Sequence, residues 1–435
     1  MAKTYSEVVD FLFTQLPMFQ RIGAAAYKAD LSTTISLNNI LGNLQTKYPA
    51  VHIAGTNGKG SVSHFTASVL QENGFKVGLF TSPHFKDFTE RIKINGKPIS
   101  EDKVVEFVEQ NMQIFSSIKP SFFEWTFALA TWYFYEQKVD IAVFETGMGG
   151  RLDSTNTISP VVTCITNVGL DHTQFLGNTV SLIAAEKAGI IKENIPVVVG
   201  SLEDEALDVI SRKAIQQNSK LYNSEVLFKE KYHNLISDED RRVLQVKLIN
   251  TETNKEFEVE SSLIGTYQVS NIKTVFSIFY ALQQNRIINI DDETVIKGIN
   301  NCNKNVPLLG RWQIMQTKPT VIADVAHNIN GITQVVEQLK SYNYDKLHIV
   351  LGMANDKDIN GMLSLLPKEA EYYFCKADVP RGLDANLLKQ QAQAHHLHGE
   401  TYSSCNVALQ KAINSANITD LVLVTGSVFV VAEII

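Results

Sequence analysis

Short apolar runs alternate with amphipathic stretches along most of the chain, and this alternation constrains the fold more than any other feature of the sequence. A helix is predicted over residues 59–72, directly after the first apolar run, and another over the stretch "SFFEWTFALATWYFYEQ". Strands that alternate with helices build parallel sheets covered by helices on both faces. Five runs in the first half predict such strands: "AVHIAG", "KVGLF", "VDIAVFETG", "VVTCITN" and "PVVVG".

The alternation is interrupted once and then resumes. In residues 220–264 the segments "VLQVKLIN" and "KEFEVESSL" alternate polar and apolar side chains, which predicts an antiparallel hairpin. A helix is predicted from Val269 to Gln283. The polar stretch "NCNKNVPLLGRW" is a candidate linker. After it, a helix is predicted over "NINGITQVVEQLK" and strands over "VIADVA", "LHIVLG", "EYYFC" and "LVLVTG".

We therefore predict an α/β protein with two domains. Residues 1–300 form a P-loop-type parallel sheet domain with the hairpin added to it, residues 301–312 a linker, and residues 313–435 a smaller Rossmann-like α/β domain. A chain of 435 residues is too long for one ordinary hydrophobic core, which agrees with this division. We expect ligands to bind in a cleft between the two domains.

The composition argues against several classes of protein. The net charge of −7 disfavours non-specific binding to nucleic acid or to an anionic membrane, while a local basic pocket for an anionic small molecule stays compatible with it. The four cysteines show no zinc-site spacing, so we expect reduced, buried thiols. Glu7 and Asp10 lie in the first apolar stretch, so no signal peptide is expected. The short apolar run over residues 421–435 contains Thr-Gly-Ser and favours a buried strand and its continuation over a membrane span, and we expect a cytoplasmic protein.

The stretch "HIAGTNGKGSVSHF", residues 52–65, has the properties of a phosphate-binding loop but departs from the usual pattern. Gly55, Gly58 and Gly60 let backbone N–H groups approach an anion, and the following helix presents its positive N-terminal end. Lys59 is placed to reach the outer phosphates. The usual pattern has the hydroxyl directly after the lysine, whereas Gly60 separates Lys59 from Ser61 here. The alternative is a glycine-rich turn with an exposed lysine.

The spelling A-G-T-N-G-K-G-S resembles the ATP loop of the Mur ligase superfamily, whose ligases join an amino acid to a carboxylate. Later segments resemble the folylpolyglutamate synthase/dihydrofolate synthase branch of that superfamily, and the resemblance extends over residues 20–431. The segments that carry it are "TSPHFKDFTERIKING", "VDIAVFETGMGGRLDSTN", "CITNVGLDHTQFLG", "AAEKAGIIK", "GTYQVSNIKT", "LGRW", "VIADVAHN" and "TGSVFVV".

The resemblance implies a magnesium site. Glu145 ends an apolar strand, where a carboxylate beside nucleotide phosphates suits Mg²⁺. The family pattern makes Ser82, Glu145 and His172 metal ligands, although a Ser-Pro turn and a structural histidine are ordinary alternatives for two of them. The family pattern also implies that Lys187 is carbamylated and binds a second Mg²⁺, which requires that the amine first be neutral.

The resemblance also assigns residues to ATP, to the substrate and to catalysis. The implied ATP-binding residues are Asn57, Gly58, Lys59, Gly60, Ser61, Asn271, Arg311 and Asp324. The implied catalytic residues are Lys59, Lys187, His327 and Asp153. The residues implied near the substrate are Phe123, Leu152, Asp153, Ser154 and Ser427. On residue chemistry alone, Asn271 is equally a capping or surface residue and Phe123 equally a core aromatic.

The predicted activity is ATP-dependent formation of an amide bond between L-glutamate and the carboxylate of a folate or of dihydropteroate. A carboxylate is a poor electrophile, and phosphorylation by ATP converts it into an acyl phosphate that the amine attacks. We expect a monomer that uses two Mg²⁺ ions and both acceptors, with folylpolyglutamate synthase activity alone as the alternative.

Two other classes of protein are rivals to this prediction. A Mur-type ligase for a peptidoglycan precursor would carry an extra N-terminal domain, for which an ATP loop near residue 55 leaves no room. An ATP-hydrolysing switch or motor would need neither an amino-acid site nor the G-G-R-L-D loop. A binding module without activity fits poorly with so many intact motifs.

Overall fold

Contacts within the chain separate two units. The structure is a computed structural model that describes residues 3–18, 30–237 and 242–435. The first unit contains the described parts of Met1–Gly169, Thr173–Ser262 and Gln268–Pro307. The second contains Leu170–His172, Leu263–Tyr267 and Leu308–Ile435. Two short segments that follow strands of the first unit therefore pack with the second.

An eight-stranded sheet forms the centre of the first unit. Its strands are β1 (Ala50–Ala54), β2 (Val77–Phe80), β3 (Ile92–Ile94), β4 (Lys97–Pro98), β5 (Ile141–Glu145), β6 (Pro160–Ile165), β7 (Val197–Val199) and β8 (Leu221–Asn223). Their order is β4-β3-β2-β5-β1-β6-β7-β8, and the six strands from β2 to β8 in this order are parallel. The five strands predicted in this region are confirmed.

Helices cover this sheet. They are α1 (Tyr5–Thr14), α2 (Ser32–Ile40), α3 (Lys59–Glu72), α4 (Glu101–Ser116), α5 (Phe122–Glu136), α6 (Thr173–Leu176), α7 (Val180–Ala188), α8 (Asp204–Gln216), α9 (Ser224–Leu227), α10 (Gln268–Gln284), α11 (Asp292–Asn300) and α12 (Cys302–Asn305). Short 3-10 helices span Leu44–Thr46, Phe88–Arg91 and Ser154–Thr157. The helices predicted over residues 59–72 and over "SFFEWTFALATWYFYEQ" are confirmed as α3 and α5.

Strand β1 lies in the middle of the sheet, and this position explains its sequence. It pairs in parallel with β5 on one side and β6 on the other, and all five of its residues are buried. A strand covered on both faces favours a continuous apolar run, which "AVHIA" provides except at His52. Because parallel strands end at the same edge, the residues after β1, β2, β5 and β6 meet there.

The predicted hairpin is one part of a three-stranded sheet. Strands β10 (Arg242–Asn250) and β11 (Glu256–Ser261) pair antiparallel, as predicted, and β9 (Phe228–Ser237) adds a third strand on the other side of β10. Strand β9 was not predicted, because almost all of its side chains are exposed and no alternation of buried and exposed positions marks it.

The second unit contains a six-stranded sheet. Its strands are β12 (Gln313–Thr317), β13 (Thr320–Ala323), β14 (Leu347–Leu351), β15 (Glu371–Phe374), β16 (His398–Thr401) and β17 (Leu421–Thr425), in the order β12-β13-β17-β14-β15-β16. Only the pairing of β12 with β13 is antiparallel among these strands. The helices are α13 (Ile329–Leu339), α14 (Ile359–Leu363), α15 (Ala385–Gln393), α16 (Cys405–Ser415) and α17 (Val428–Ile434).

The structure adds detail to two predictions. Residues 302–305 of the candidate linker form helix α12. The apolar run at residues 421–435 begins as strand β17 but continues as helix α17, because the Ser427 side chain caps the amide of Phe429. All four cysteines are free and buried, as expected. In the described part of the chain, no helix combines the length and the hydropathy needed to span a membrane.

Candidate active site

The glycine-containing loop between β1 and α3 is held by the residues that follow β6. The Asn57 amide donates to Asn167 Oδ1 (2.7 Å), and the Thr166 hydroxyl donates to the Asn57 carbonyl (2.6 Å). A Cβ atom at Gly55 would lie 1.9 Å from Thr166 Oγ1, so a larger residue has no space there. Gly58 has a φ of 82°, which glycine adopts without strain. The loop thus presents the N-terminal end of α3 at the edge of the sheet, a geometry that suits phosphate groups.

Two lysines predicted to be catalytic meet at this loop. Lys59 Nζ donates to the carbonyl oxygens of Gly55 (3.0 Å) and Thr56 (3.1 Å). Lys187, buried near the end of α7, donates from Nζ to the same Gly55 oxygen (2.9 Å). Two ammonium groups on one oxygen repel each other, so an anionic ligand or the loss of one positive charge is favourable here. Phosphates beside Lys59 and a carbamate on Lys187 both fit this arrangement.

Helix α10 adds polar side chains to the same loop. Gln268 Nε2 donates to Ser61 Oγ (3.2 Å), and Asn271 Nδ2 donates to Gln268 Oε1 (2.7 Å). A Cβ atom at Gly58 would lie 2.5 Å from Asn271 Oδ1, so Asn271 touches the loop directly. The predicted ATP-binding residues of the first unit therefore lie around one loop. Gln268 was not predicted, although its spacing of three residues from Asn271 places both on one helix face.

Glu145 and Ser82 lie together at the ends of neighbouring strands. Glu145 is the last residue of β5 and is buried, and its Oε2 accepts a hydrogen bond from the Ser82 amide (3.1 Å). Ser82 follows β2, the neighbour of β5. A carboxylate and a hydroxyl are oxygen donors that Mg²⁺ accepts, with phosphate oxygens and water as its other ligands. These two residues fit the predicted magnesium site.

The third predicted magnesium ligand, His172, belongs to the segment Leu170–His172, which packs with the second unit. Its approach to Glu145 therefore stays a prediction. Within residues 3–18, 30–237 and 242–435, no group of three His, Cys, Asp or Glu side chains is arranged to hold a metal ion. A site made of one carboxylate, one hydroxyl and nucleotide phosphates does not require such a group.

A buried arginine packs beneath the Ser82 turn. Arg91 Nε donates to His84 Nδ1 (2.7 Å), and the guanidinium lies 5.0 Å from the centroid of the Phe122 ring. Burial lowers the pKa of Arg91 to about 10, while the negative charges of Glu145 and Glu90 act in the opposite direction. Burial, helped by the Arg91 charge, lowers the pKa of His84 to about 3, so this imidazole is neutral. The T-S-P-H and E-R-I motifs thus pack against each other, which their separation in sequence did not reveal.

Asp153 was predicted as a catalytic and substrate residue, and the structure shows its side chain bonded within the protein. Oδ2 accepts from the amides of Gly147 and Met148 (2.9 Å each), and Oδ1 accepts from the amide and hydroxyl of Thr155 (3.0 and 2.5 Å). Burial raises the pKa of Asp153, and these four donors act against that effect. Four donors fill both oxygens, so the contacts favour a role in holding the glycine loop over direct contact with substrate.

Three other residues predicted near the substrate, Phe123, Leu152 and Ser154, lie at or beside this loop. A Cβ atom at Gly147 would lie 2.7 Å from the ring of Phe123, which is half-buried at the start of α5. Leu152 is also half-buried, whereas Ser154 is buried with its hydroxyl 3.0 Å from that of Thr34. Phe123 and Leu152 therefore remain open to a ligand, while Ser154 is engaged within the protein.

In the second unit, Asp324 forms a buried hydrogen-bond centre. Its carboxylate accepts from the Tyr267 hydroxyl (2.7 Å), the Trp312 amide (2.9 Å) and the Ala326 amide (2.9 Å). Burial raises the pKa of Asp324 and of Tyr267, and for Asp324 the donors and the Arg311 charge oppose this. Contacts of Asp324 and Arg311 with a nucleotide stay predictions. Tyr267 was missed, because nothing local marks a tyrosine as the partner of a carboxylate so distant in sequence.

A second cluster of the same unit surrounds Asp171. Its carboxylate accepts from Lys357 Nζ (2.5 Å) and from Asn328 Nδ2 (3.3 Å), and it lies 3.6 Å from His327 Nε2. Burial acts to raise the pKa of Asp171, but the polar contact with His327 and the charges of Lys357 and His172 hold it well below its usual range. His327 is thus placed among charged groups, and Lys357 was not predicted. Ser427 lies elsewhere in this unit as the cap of α17.

Family comparisons agree with these observations. The family described as Mur ligase middle domain matches residues 53–279, and the family described as Mur ligase, glutamate ligase domain matches residues 310–428. The dihydrofolate synthase/folylpolyglutamate synthase of Bacillus subtilis is 36% identical over 407 residues, which are 91% of each chain. A probable bifunctional folylpolyglutamate synthase/dihydropteroate synthase of Haloferax volcanii is 36% identical over 99% of this chain, which spans only half (50%) of that relative's length.

Solved structures are similar over nearly the whole chain. Escherichia coli FolC in complex with DHPP and ADP has a TM-score of 0.85 and 27% identity, with 100% of this chain and 97% of that chain covered. The bifunctional folylpolyglutamate synthase/dihydrofolate synthase of Yersinia pestis, complexed with AMPPNP and Mn ion, has a TM-score of 0.82 and 27% identity, with 99% and 97% covered. The predicted fold class is confirmed. The two matched families together cover both units, and with the Bacillus subtilis relative they show that the chain belongs to the folylpolyglutamate synthase/dihydrofolate synthase family of Mur ligases.

Proposed function

We propose that this protein is an ATP-dependent ligase that joins the amine of L-glutamate to the carboxylate of dihydropteroate or of a folate. The observation that carries the proposal is the meeting of Lys59 and Lys187 at the Gly55 carbonyl, beside the Glu145–Ser82 pair. This arrangement supplies positive charge for phosphates and oxygen donors for a divalent cation. The relatives named above support the choice of ATP, a divalent metal and folate-type acceptors.

The proposed reaction has two steps. The acceptor carboxylate oxygen attacks the γ-phosphorus of ATP, and ADP leaves with the electrons of the broken P–O bond. The glutamate amine then attacks the acyl carbon, loses a proton and expels phosphate. Lys59 Nζ and the backbone N–H groups at the start of α3 offset negative charge on the phosphates in the first step.

Glu145 and Ser82 would hold one Mg²⁺, and Lys187 would bind a second Mg²⁺ once it is carbamylated. The ion supplies charge neutralisation at the phosphate oxygens. In the second unit, Arg311 and Asp324 are proposed contacts of the nucleotide, His327 is a proposed catalytic residue, and Ser427 is a proposed contact of the amino-acid substrate. We further propose that the protein acts as a cytoplasmic monomer.

A direct assay separates the alternatives. Purified protein is incubated with ATP, Mg²⁺ and L-glutamate, with dihydropteroate or a reduced folate as acceptor, while ADP release and product mass are followed. A mass gain of one glutamyl residue on both acceptors would support the bifunctional proposal. Gain on the folate alone would restrict the protein to folylpolyglutamate synthase, and ADP release that does not depend on an acceptor would refute the ligase proposal. Lys59→Met serves as the inactive control.

A further inference from the structure

The 3-10 helix Ser154–Thr157, directly after the G-G-R-L-D loop, is held at every residue. Its four residues are bonded by side chains from three other parts of the first unit: helix α2, strand β1 and the turn after α7. The bonded pairs are Thr34 with Ser154 (3.0 Å), His52 with Thr155 (2.8 Å), Lys192 with the Asn156 carbonyl (2.9 Å) and Asn38 with Thr157 (3.0 Å). Among these, the bond from His52 continues into the loop itself.

The geometry fixes the direction of the His52 hydrogen bond. The Thr155 hydroxyl lies 2.5 Å from Asp153 Oδ1, a carboxylate oxygen that can only accept, so the hydroxyl hydrogen points to Asp153. Thr155 Oγ1 must then accept from His52 Nε2, which carries the imidazole hydrogen. Burial, aided by the charge of Lys192, lowers the pKa of His52 to about 3, so the ring is neutral. Its Nδ1 is buried and accepts no hydrogen bond from the part of the chain that the structure describes.

The chain of hydrogen bonds ends on the glycine loop. Asp153 receives the Thr155 hydroxyl on one oxygen and the amides of Gly147 and Met148 on the other. Gly147 in turn touches the Phe123 ring. An uninterrupted series of bonds therefore runs from the middle of strand β1 to the loop that faces Phe123.

We propose that His52 is a positioning residue for the acceptor substrate, acting through Thr155 and Asp153 on the Gly147–Met148 segment. The inference rests on the proposed function, because it assigns this loop to the acceptor. An imidazole in the centre of an otherwise apolar strand leaves one nitrogen unsatisfied, which is unfavourable. An aliphatic side chain would fill the core without that penalty, so the useful property of His52 is the donor at Nε2.

Two matched pairs of variants test the proposal. His52→Leu removes the donor, while His52→Gln keeps a side-chain N–H at similar reach. Thr155→Val removes the hydroxyl, while Thr155→Ser keeps it. For each protein, amide hydrogen exchange at Gly147 and Met148 is measured without substrate, and KM is measured separately for the acceptor and for ATP. The melting temperature and ADP affinity confirm that each variant is folded.

We expect His52→Leu and Thr155→Val to speed exchange at both amides and to raise acceptor KM by about 3- to 10-fold, the effect of one lost neutral hydrogen bond. ATP KM should change by less than about twofold, since that loss does not reach the phosphate loop. The double variant should be no worse than Thr155→Val alone, because both changes break one chain. His52→Gln and Thr155→Ser should restore most of the wild-type behaviour.

Unchanged exchange in His52→Leu, or an equal rise of both KM values, would overturn the proposal. So would additive effects in the double variant. If the wild-type protein transferred glutamate to neither acceptor, the proposed function would be wrong and the acceptor role with it. The exchange rates would still decide whether His52 holds the loop, so the two failures are distinguishable.

Discussion

Replacing Asp153 by asparagine tests whether this residue holds the loop or touches the substrate. The carboxylate accepts two backbone amides on Oδ2 and the amide and hydroxyl of Thr155 on Oδ1. The side-chain NH₂ of an asparagine fits best toward Thr155, whose hydroxyl can turn to accept from it. The backbone amide of Thr155 then loses its acceptor. One buried unsatisfied donor costs about 1–3 kcal/mol, and Gly147 and Met148 lose a charged partner. Because burial raises the pKa of Asp153, a neutral side chain recovers part of this cost.

We therefore expect Asp153→Asn to lower the free energy of unfolding by about 2 kcal/mol and to raise acceptor KM. Urea unfolding of the two proteins measures the first quantity, and steady-state kinetics with varied acceptor the second. Asp204→Asn, at an exposed position in the first turn of α8, is the control and should change neither by much. A variant as stable as the wild type that has lost acceptor binding would refute the reasoning, because it would mean that Asp153 contacts the substrate directly.

Three further predictions concern other parts of the first unit. Gly58→Ala should weaken binding of a non-hydrolysable ATP analogue by at least about tenfold in calorimetry, because its Cβ would meet Asn271 Oδ1 and its φ is left-handed; Gly74→Ala, equally left-handed but in open space, should leave that affinity intact. Hydrogen bonds from two asparagines hold the pKa of Glu72 below its usual value. The carboxylate therefore stabilises the fold above its unfolded pKa, and this stabilisation is lost as the pH falls. The difference in urea midpoint between the wild type and Glu72→Gln should shrink from pH 7 to pH 3. Lys187→Arg should lower ligation by at least about 100-fold, and ¹³C NMR with labelled bicarbonate should show a carbamate signal in the wild type that the variant lacks; equal signals in both proteins would contradict carbamylation.

The sequence was sufficient where the structure is local. The strand, loop and helix from Ala50 to Glu72 follow from an apolar run, glycines and a lysine that are adjacent in the chain, so their prediction needed no distant contact. Strand β9 and helix α17 were not predicted, and the reason lies in their local sequences. The exposed side chains of β9 lack periodicity, and the β-branched run of α17 is equally compatible with a strand until its capping residue, Ser427, is known.

The sequence pointed to residues of the candidate site, but it did not show which groups their side chains contact. His52 is one polar residue in an apolar strand, and only the structure shows which hydroxyl it faces. Asp153 carried one local signal that was overlooked: an Asp two residues before Thr155 is typical of a side chain that caps its own turn. His172 was expected beside Glu145 because both follow parallel strands, and this stays a prediction because its segment belongs to the second unit.

Asp153 and Asp324 illustrate a general difficulty in assigning carboxylates from motifs. Both stand in motifs that the resemblance connects with ligands, and both are buried with backbone amides as donors. Asp153 already accepts four hydrogen bonds and has little capacity left for a ligand, so its effect on binding is exerted through the loop it holds. Asp324 accepts three and keeps capacity for the proposed nucleotide contact. For a residue such as Asp153, substitutions should change substrate affinity and loop exchange together, whereas a residue in direct contact would change affinity alone. The measurements proposed for His52 and Asp153 make this distinction within a single loop.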